Sequence, residues 1–342
     1  MARQAGVSVA TVSRVLNQNE SVRAGIRDRV LAVIASSGFR PNANARRLVS
    51  GGSGQVCFLL ANRDLGDSFH SRILKGVEDY SRRQHHQVVY TRFDYDAEMV
   101  LPSDDLPRIL REGGGVEGVV LAGANYPSMI RYLEGLSLPY VLFGNNIVND
   151  TAAYPKENAV AFDEERGARE ATEFLIELGH KRIAFVGDLS IQWYRRRFQG
   201  YKRAMQLRKL NALAIDLHER DAVELGRRAV PDLVRRYPGT TAVLAQDDET
   251  ACGLVESLRR LQIRVPDDIS VIGYDDIREA RYVAPTLTTV RVPKERVGEM
   301  LAETLFERIA GRRSPALMLS TELVIRESCV RLTGAKLKLA VK

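Results

Sequence analysis

From Gln55 onward, short apolar runs alternate with longer amphipathic stretches. The runs QVCFLLA, QVVYTRF, VEGVVLA, PYVLFG, NAVAF, KRIAFVG, TAVLAQ and DISVIGY have the length of strands. Helical periodicity fills 71–84, 165–178, 195–207, 248–262 and 294–310 between them. Runs that stay apolar at successive positions, rather than at every second one, predict strands covered on both faces. Strand–helix alternation makes such sheets parallel. Eight strands suit one large sheet or two smaller ones, and periodicity does not choose between them. Ahead of them, residues 1 to about 38 read as short helices. PNANARRL (41–48) then enters on a proline, and SGGSG (50–54) supplies a flexible linker.

The first of these patterns is AGVSVATVSRVLN at 5–17. Ser8 is placed to cap a helix from Val9 to about Asn17. At about 100° per residue, Thr11, Val12, Val15 and Leu16 fall on one side, while Val9, Ala10, Ser13, Arg14 and Asn17 fall on the other. The second side is small and polar with a single arginine. It suits close approach to a major groove, where Arg14 can donate two bonds to guanine O6 and N7. The plain alternative on this pattern is a surface helix with a solvated arginine.

Charge adds to this picture. The 342-residue chain carries a formal +7. Residues 1–50 hold eight arginines against Glu20 and Asp28, a net +6, and residues 331–342 add four cations with no acid. The intervening 280 residues therefore carry −3: a basic head and tail flank a mildly acidic body. Length suggests two or three folded units, and 45% hydrophobic residues suffice for sizeable cores. No run is long enough for a membrane span, and the start lacks a secretory pattern, so a cytoplasmic protein is expected. Cys57, Cys252 and Cys329 are far apart and read as reduced structural residues.

AGVSVATVSRVLNQNESV followed by RDRVLAVIASSGFRPNANARRL resembles the DNA-binding headpiece of the lactose/galactose repressor (LacI/GalR) family. The resemblance implies that Val9, Ala10 and Arg14 read bases, while Ser8, Thr11, Ser13 and Asn17 bind or approach phosphate. It also implies a hinge helix entering the minor groove, with Leu48 as the wedge and Asn42, Ala45, Arg46 and Arg47 around it. Two departures stand out. The first helix of the headpiece has only Met1 to Ala5, so a native start several residues upstream is expected. The third helix opens on Arg23-Ala24-Gly25-Ile26, which lacks a side-chain cap.

Further along, ELGHKRIAFVGD (177–188), RFQGYKRAM (197–205), RVPDDISVIGYDDIREARYVAPTLTTVRVPKERVG (264–298) and ELVIRESC (322–329) resemble the regulatory domain of the same family. The implied fold is a small all-α helix-turn-helix headpiece (1–40), a hinge and linker (41–54) and an α/β periplasmic-binding-protein-like domain (55–330). A basic tail (331–342) follows. Two parallel-sheet, Rossmann-like lobes make up the large domain, about 55–156 with 288–317 and about 158–285 with 319–330. The chain would cross between them near 156–158, 284–288 and 316–320. A ligand cleft lies where strand carboxyl ends converge. Phe69, His70, Trp193, Arg197, Asp247 and Asp275 are its candidates, suited to a sugar, a sugar derivative or a nucleoside-like effector. Asp247 stands where the family usually has an amide. The acid favours a cationic or polyhydroxylated ligand or only shifts a pKa, and sequence does not separate these.

Other signals fail on context. GGGVEG (113–118) precedes a strand instead of following one, so it is not a dinucleotide loop. His85 and His86 are adjacent and read as a solvated helix end. The acidic pairs 247–248 and 275–276 lack a nucleophile or metal-ligand spacing, so neither an enzyme, a cofactor nor a metal is expected. The tail is too short for a tetramerising coiled coil. The reading is a ligand-responsive repressor binding a pseudo-palindromic operator in double-stranded DNA as a homodimer, with no membrane partner. A transport-type solute-binding protein is the alternative, but it leaves residues 1–48 without a use.

Overall fold

The computed structural model describes residues 2–16, 22–37, 53–63, 65–66, 68–99, 101, 105–111, 115–148 and 157–332. The chain divides into two units, Met1–Ser53 and Gly54–Lys342. In the first, residues 2–6 form a turn closed by the Val7 amide on the Ala2 carbonyl at 3.0 Å. Helices α1 (Val9–Leu16) and α2 (Ala24–Ser37) follow. Ser8 Oγ accepts the Thr11 amide at 3.1 Å, the capping expected from sequence. Ala5, Val12, Val15 and Val30 form a small core, with Val7, Val22, Ile26, Val33 and Ile34 packed around it.

The second unit contains two six-stranded sheets. The first holds β1 (Gln55–Ala61), β2 (Gln87–Phe93), β3 (Val119–Gly123), β4 (Tyr140–Phe143) and β5 (Ala159–Phe162). The second holds β6 (Ile183–Gly187), β7 (Leu213–Asp216), β8 (Ala242–Ala245), β9 (Ser270–Asp275) and β10 (Thr288–Arg291). Late in the chain, β11 (Leu317–Leu319) joins the edge of the first sheet beside β5, and β12 (Glu322–Val324) joins the second beside β10. The orders are β11-β5-β4-β3-β1-β2 and β12-β10-β9-β8-β6-β7, so both lobes repeat one topology. Every pairing is parallel except β10 with β12. In each sheet the order reverses beside its first strand, between β1 and β3 and between β6 and β8. Such reversals open a crevice at the strand carboxyl ends.

The helices are α3 (Ser68–Arg83), α4 (Arg108–Arg111), α5 (Pro127–Gly135), α6 (Glu164–Glu177), α7 (Gln192–Leu207), α8 (Ala222–Arg236), α9 (Asp248–Arg260) and α10 (Lys294–Ile309). Three pairs pack most closely: α3 on α10, α6 on α7 and α8 on α9. Glycine permits each approach. A Cβ on Gly76 would lie 2.0 Å from the Glu295 carbonyl oxygen, and one on Gly298 would lie 2.0 Å from that of Ile73. Gly200 stands in the same relation to Glu165, and Gly253 to Val223. Helix α8 contains Pro231, which cannot donate to the Arg227 carbonyl one turn back. Ser257 Oγ on α9 bonds that carbonyl instead, at 3.3 Å.

Two of the expected crossings move. Strand β5 lies in the first sheet while α6 packs on the second, so the chain crosses between 162 and 164 rather than at 156–158. Strand β10 lies in the second sheet while α10 packs on the first, which moves the next crossing from 284–288 to between 291 and 294. The third falls between 319 and 322. The first two misplacements have one cause: the chain changes lobe after a strand is complete, at its carboxyl end, so the strand stays with the lobe it leaves. His86 also differs from a solvated helix end. Its Nε2 lies 3.1 Å from Glu117 Oε2 and its ring centroid 4.8 Å from that of Phe306.

The Gly76 contact makes a prediction whose sign is diagnostic. Alanine at an open helical position stabilises by about 1 kcal/mol relative to glycine. Gly76→Ala should instead destabilise the large domain by about 1–3 kcal/mol, because α3 and α10 must separate. Urea denaturation checks this, and a midpoint that rises would show that the helices do not meet there.

Candidate functional site

Two surfaces deserve the name. On α1, the turn of the helix that buries Val12 and Val15 turns Val9, Ala10 and Arg14 outward, with Val9 77% exposed. Ser8 and Thr11 sit together at the helix start, their hydroxyl oxygens 2.9 Å apart. Ser13 lies within α1. Asn17, Asn42, Ala45, Arg46, Arg47 and Leu48 lie outside the described residues. The exposed face is small and apolar at its beginning and cationic one turn later. That arrangement allows close approach to a polar groove followed by a directed guanidinium contact.

The second surface is a cleft of about 590 Å³ in the large unit. All six residues singled out from sequence line it: Phe69, His70, Trp193, Arg197, Asp247 and Asp275. Phe69 and His70 stand on the first turn of α3, where Phe69 packs against Phe143 and Phe162 at the ends of β4 and β5. Trp193 and Arg197 come from α7, Asp247 from the turn after β8 and Asp275 from the end of β9. Strand carboxyl ends of both lobes thus supply the walls, as the topology requires.

Arg197 organises the floor. It is 3% exposed, and its Nη2 and Nη1 donate to the Asp275 carboxylate at 2.9 and 3.4 Å. Nη1 also donates to the Gln246 carbonyl, and the guanidinium lies 3.8 Å from the Tyr274 ring centroid. Burial works against this charge, yet the carboxylates of Asp275 and Glu164 outweigh it and raise the Arg197 pKa. Asp247 caps α9: its Oδ1 accepts the Thr250 amide at 2.8 Å, and its Oδ2 accepts the Tyr194 hydroxyl at 2.8 Å. Asp248 also lines the cleft, with its carboxylate held from within the protein. It accepts the Ile277 amide and the Thr289 hydroxyl, and burial raises its carboxyl well above the usual range.

Asp275 and Asp276 have φ of 104° and 51°, two consecutive left-handed residues without glycine. Such backbone is strained and persists only where surroundings hold it. Here they do. Lys294, at the start of α10 and 2% exposed, donates to both carbonyls, while its ammonium lies 5.6 Å from the Phe69 ring centroid. Burial lowers the Lys294 pKa. Arg291, Arg326 and Arg281 bind the Asp276 carboxylate at 2.8, 2.5 and 3.3 Å. Burial alone would raise that carboxyl; Arg326 and Arg291 overcome it and bring its pKa down to about 2. Another bridge joins the lobes at the first crossing. Arg196 on α7 reaches Glu164 at 2.5 Å and the Asn145 carbonyl, while the Asn145 side chain brackets both backbone groups of Phe162.

Sequence reading did not single out Arg63, Asn146, Phe162, Tyr194, Glu249 or Ile277, which also line the cleft. Tyr194 had a signal, since it follows Trp193 and both occupy the first turn of the helix that carries Arg197. Arg63 lies 5.3 Å over the Trp193 ring, a contact between lobes that no local pattern announces. Asp188, Asp216 and His218 bring one potential ligand atom each within 4.8 Å of one another. In the structure Asp188 Oδ1 is engaged by His218 and Ser190. Burial pushes the thiols of Cys57, Cys252 and Cys329 up to about 11, 12 and 12, away from reactive thiolates.

Comparison with known proteins places both surfaces in context. Residues 1–42 match the model for bacterial regulatory proteins of the lacI family, and residues 172–329 match the periplasmic binding protein-like domain. The transcriptional repressor PurR of Vibrio atlanticus is 32% identical over 321 residues, covering 91% of each chain. The ribose operon repressor of Haemophilus influenzae is 29% identical over 335 residues, covering 96% of this chain and 97% of its own. A structure of the lac repressor dimer bound to operator and the anti-inducer ONPF shares the fold, with a TM-score of 0.81 at 24% identity. It covers 96% of this chain and 97% of the other.

Asp276 makes the large domain acid-sensitive in a defined window. A carboxyl held at about 2 when folded, against 3.8 unperturbed, contributes stability that is complete above about pH 4 and is lost as pH falls through 2. Asp276→Asn should therefore be less stable at neutral pH, and its stability should change less between pH 4 and 2 than that of the parent. Denaturant titrations across that range check this. Parallel curves for the two proteins would remove Asp276 from the account.

Proposed function

The chain belongs to the LacI family of bacterial regulatory proteins, and on that premise we propose that it is a transcriptional repressor whose grip on operator DNA is set by a small molecule in the cleft. The observation that carries this reading is the face of α1. A capped helix buries Val12 and Val15 and presents Val9, Ala10 and Arg14 outward, on a unit separate from the one that holds the cleft. An exported solute-binding protein has no use for that face.

In this reading Arg14 donates two hydrogen bonds to one guanine per half-site, and Val9 and Ala10 make apolar contacts such as those to a thymine methyl. Ser8, Thr11, Ser13 and Asn17 hold phosphates, which sets register without reading sequence. Asn42, Ala45, Arg46 and Leu48 form the minor-groove hinge, in which a leucine wedge bends the duplex. One reading helix covers only a few base pairs, so two chains act together on a pseudo-palindrome.

The cleft supplies the control. Phe69 and His70 belong to one lobe, while Arg197, Asp247 and Asp275 belong to the other. A hydroxyl-rich effector touching both sets favours the lobe arrangement in which they converge. That arrangement is linked to the hinge, so the effector alters operator affinity and the operator alters effector affinity by the same factor.

Arg14→Ala should weaken binding to the preferred operator by about 1–3 kcal/mol and erase the preference at one guanine in each half-site. Selection from a random DNA pool, followed by titration at fixed salt, measures both. Uniform weakening with the preference intact would make Arg14 a phosphate contact instead.

A further inference from the structure

The cleft wall is lopsided in its hydrogen-bonding chemistry. Asp247, Asp248, Glu249 and Asp275 place four carboxyl groups on it, that of Asp248 already held by the Ile277 amide and the Thr289 hydroxyl. The charge of Arg197, which would otherwise anchor an anion, is engaged within the protein by Asp275, by the Gln246 carbonyl and by Glu164 at 3.8 Å. Arg63, the other guanidinium on the wall, lies over Trp193 and donates to the Asn62 carbonyl at 3.2 Å, neutral partners that leave its charge to offset one of the carboxyl groups. Asp247 differs from Asp275 in a way that matters. Its partners, Tyr194, Gln246 and the Thr250 amide, are all uncharged donors. None of these partners is a cation, and the Asp247 carboxyl group lines the cleft. A carboxylate only accepts hydrogen bonds. A ligand oxyanion here meets like charge in a partly enclosed site, where repulsion is poorly screened.

We propose that the cleft selects its effector by charge, taking donor-rich ligands, either neutral polyhydroxylated molecules or amine-bearing ones, and rejecting their phosphorylated or carboxylated counterparts. Asp247 is the specificity-determining residue. The proposal rests on the reading of this cleft as the effector site. Its charge character can be measured independently of any effector.

Asp247→Asn is the informative variant, because an asparagine oxygen still caps α9 while the charge is gone. Trp193, the only tryptophan in the sequence, reports from the same wall. Its ring lies 5.8 Å from that of Tyr194, the partner of Asp247. Fluorescence quenching of the full-length protein by iodide and by caesium reads the local sign of charge. Removing the Asp247 charge should raise the iodide-to-caesium quenching ratio about twofold. An unchanged or falling ratio overturns the proposal.

The ligand side uses matched probes in calorimetric titration: glucose, glucosamine and glucose 6-phosphate; ribose and ribose 5-phosphate; adenosine and its 5′-monophosphate. For any scaffold that binds, the neutral or amine member should bind at least about tenfold tighter than the phosphate ester, a difference of about 1.4 kcal/mol. Asp247→Asn should narrow that gap severalfold. A phosphate ester that binds as tightly as its parent compound overturns the proposal while leaving the effector reading in place. If no probe binds and none alters operator affinity, the effector reading loses its support, and the quenching ratio still decides the charge of the cleft.

Discussion

Much of the large domain hangs on the turn Asp275-Asp276. Two adjacent left-handed residues end β9, an arrangement that relaxes unless other groups hold it. The holding groups come from four places: Arg197 on α7, Lys294 on α10, Arg291 at the end of β10, and Arg326 beyond β12. One carboxylate faces the cleft and the next faces the strands that pass between lobes. A change at the cleft-facing residue therefore lies one peptide from the carboxylate that gathers the crossing segments. Lys294 extends the connection, since α10 packs on α3, the helix that begins with Phe69 and His70.

In the cleft, single side chains both hold the fold and line the cavity. Arg197 is buried at some desolvation cost, offset by paired acceptors and by the face of Tyr274. Asp247 caps α9 and also lines the cleft. In the headpiece the division runs the other way. Among the described residues its core is a few small apolar side chains, and the opposite face of α1 leaves Val9 exposed. A single exposed valine is ordinary on a protein surface; what marks this face is that Val9, Ala10 and Arg14 are exposed together.

Legibility followed burial. The eight strands expected from sequence are all present, and seven of them are almost wholly buried. The strands that went unread are partly exposed or polar. β7, β11 and β12 are three- or four-residue segments at or near sheet edges. β10 reads TTVR, yet its threonines are buried because Asp248, Ser328 and Arg326 satisfy them. Helix α8 was hidden by Pro231, whose missing bond Ser257 replaces from another helix. Of the cleft, the residues inside recognisable motifs were legible. Arg63 was not, because its partner is 130 positions away in the sequence.

Sequence alone determined what depends on local periodicity and side-chain chemistry. It set the cap at Ser8, the two sides of α1, the parallel character of the sheets and six residues of the cleft. Tertiary structure decided which strand belongs to which lobe, where the chain crosses, and that Arg197 is paired with Asp275. Those outcomes depend on groups far apart in the chain meeting at strand ends. Periodicity reports how a segment is buried, but not which distant charge will face it.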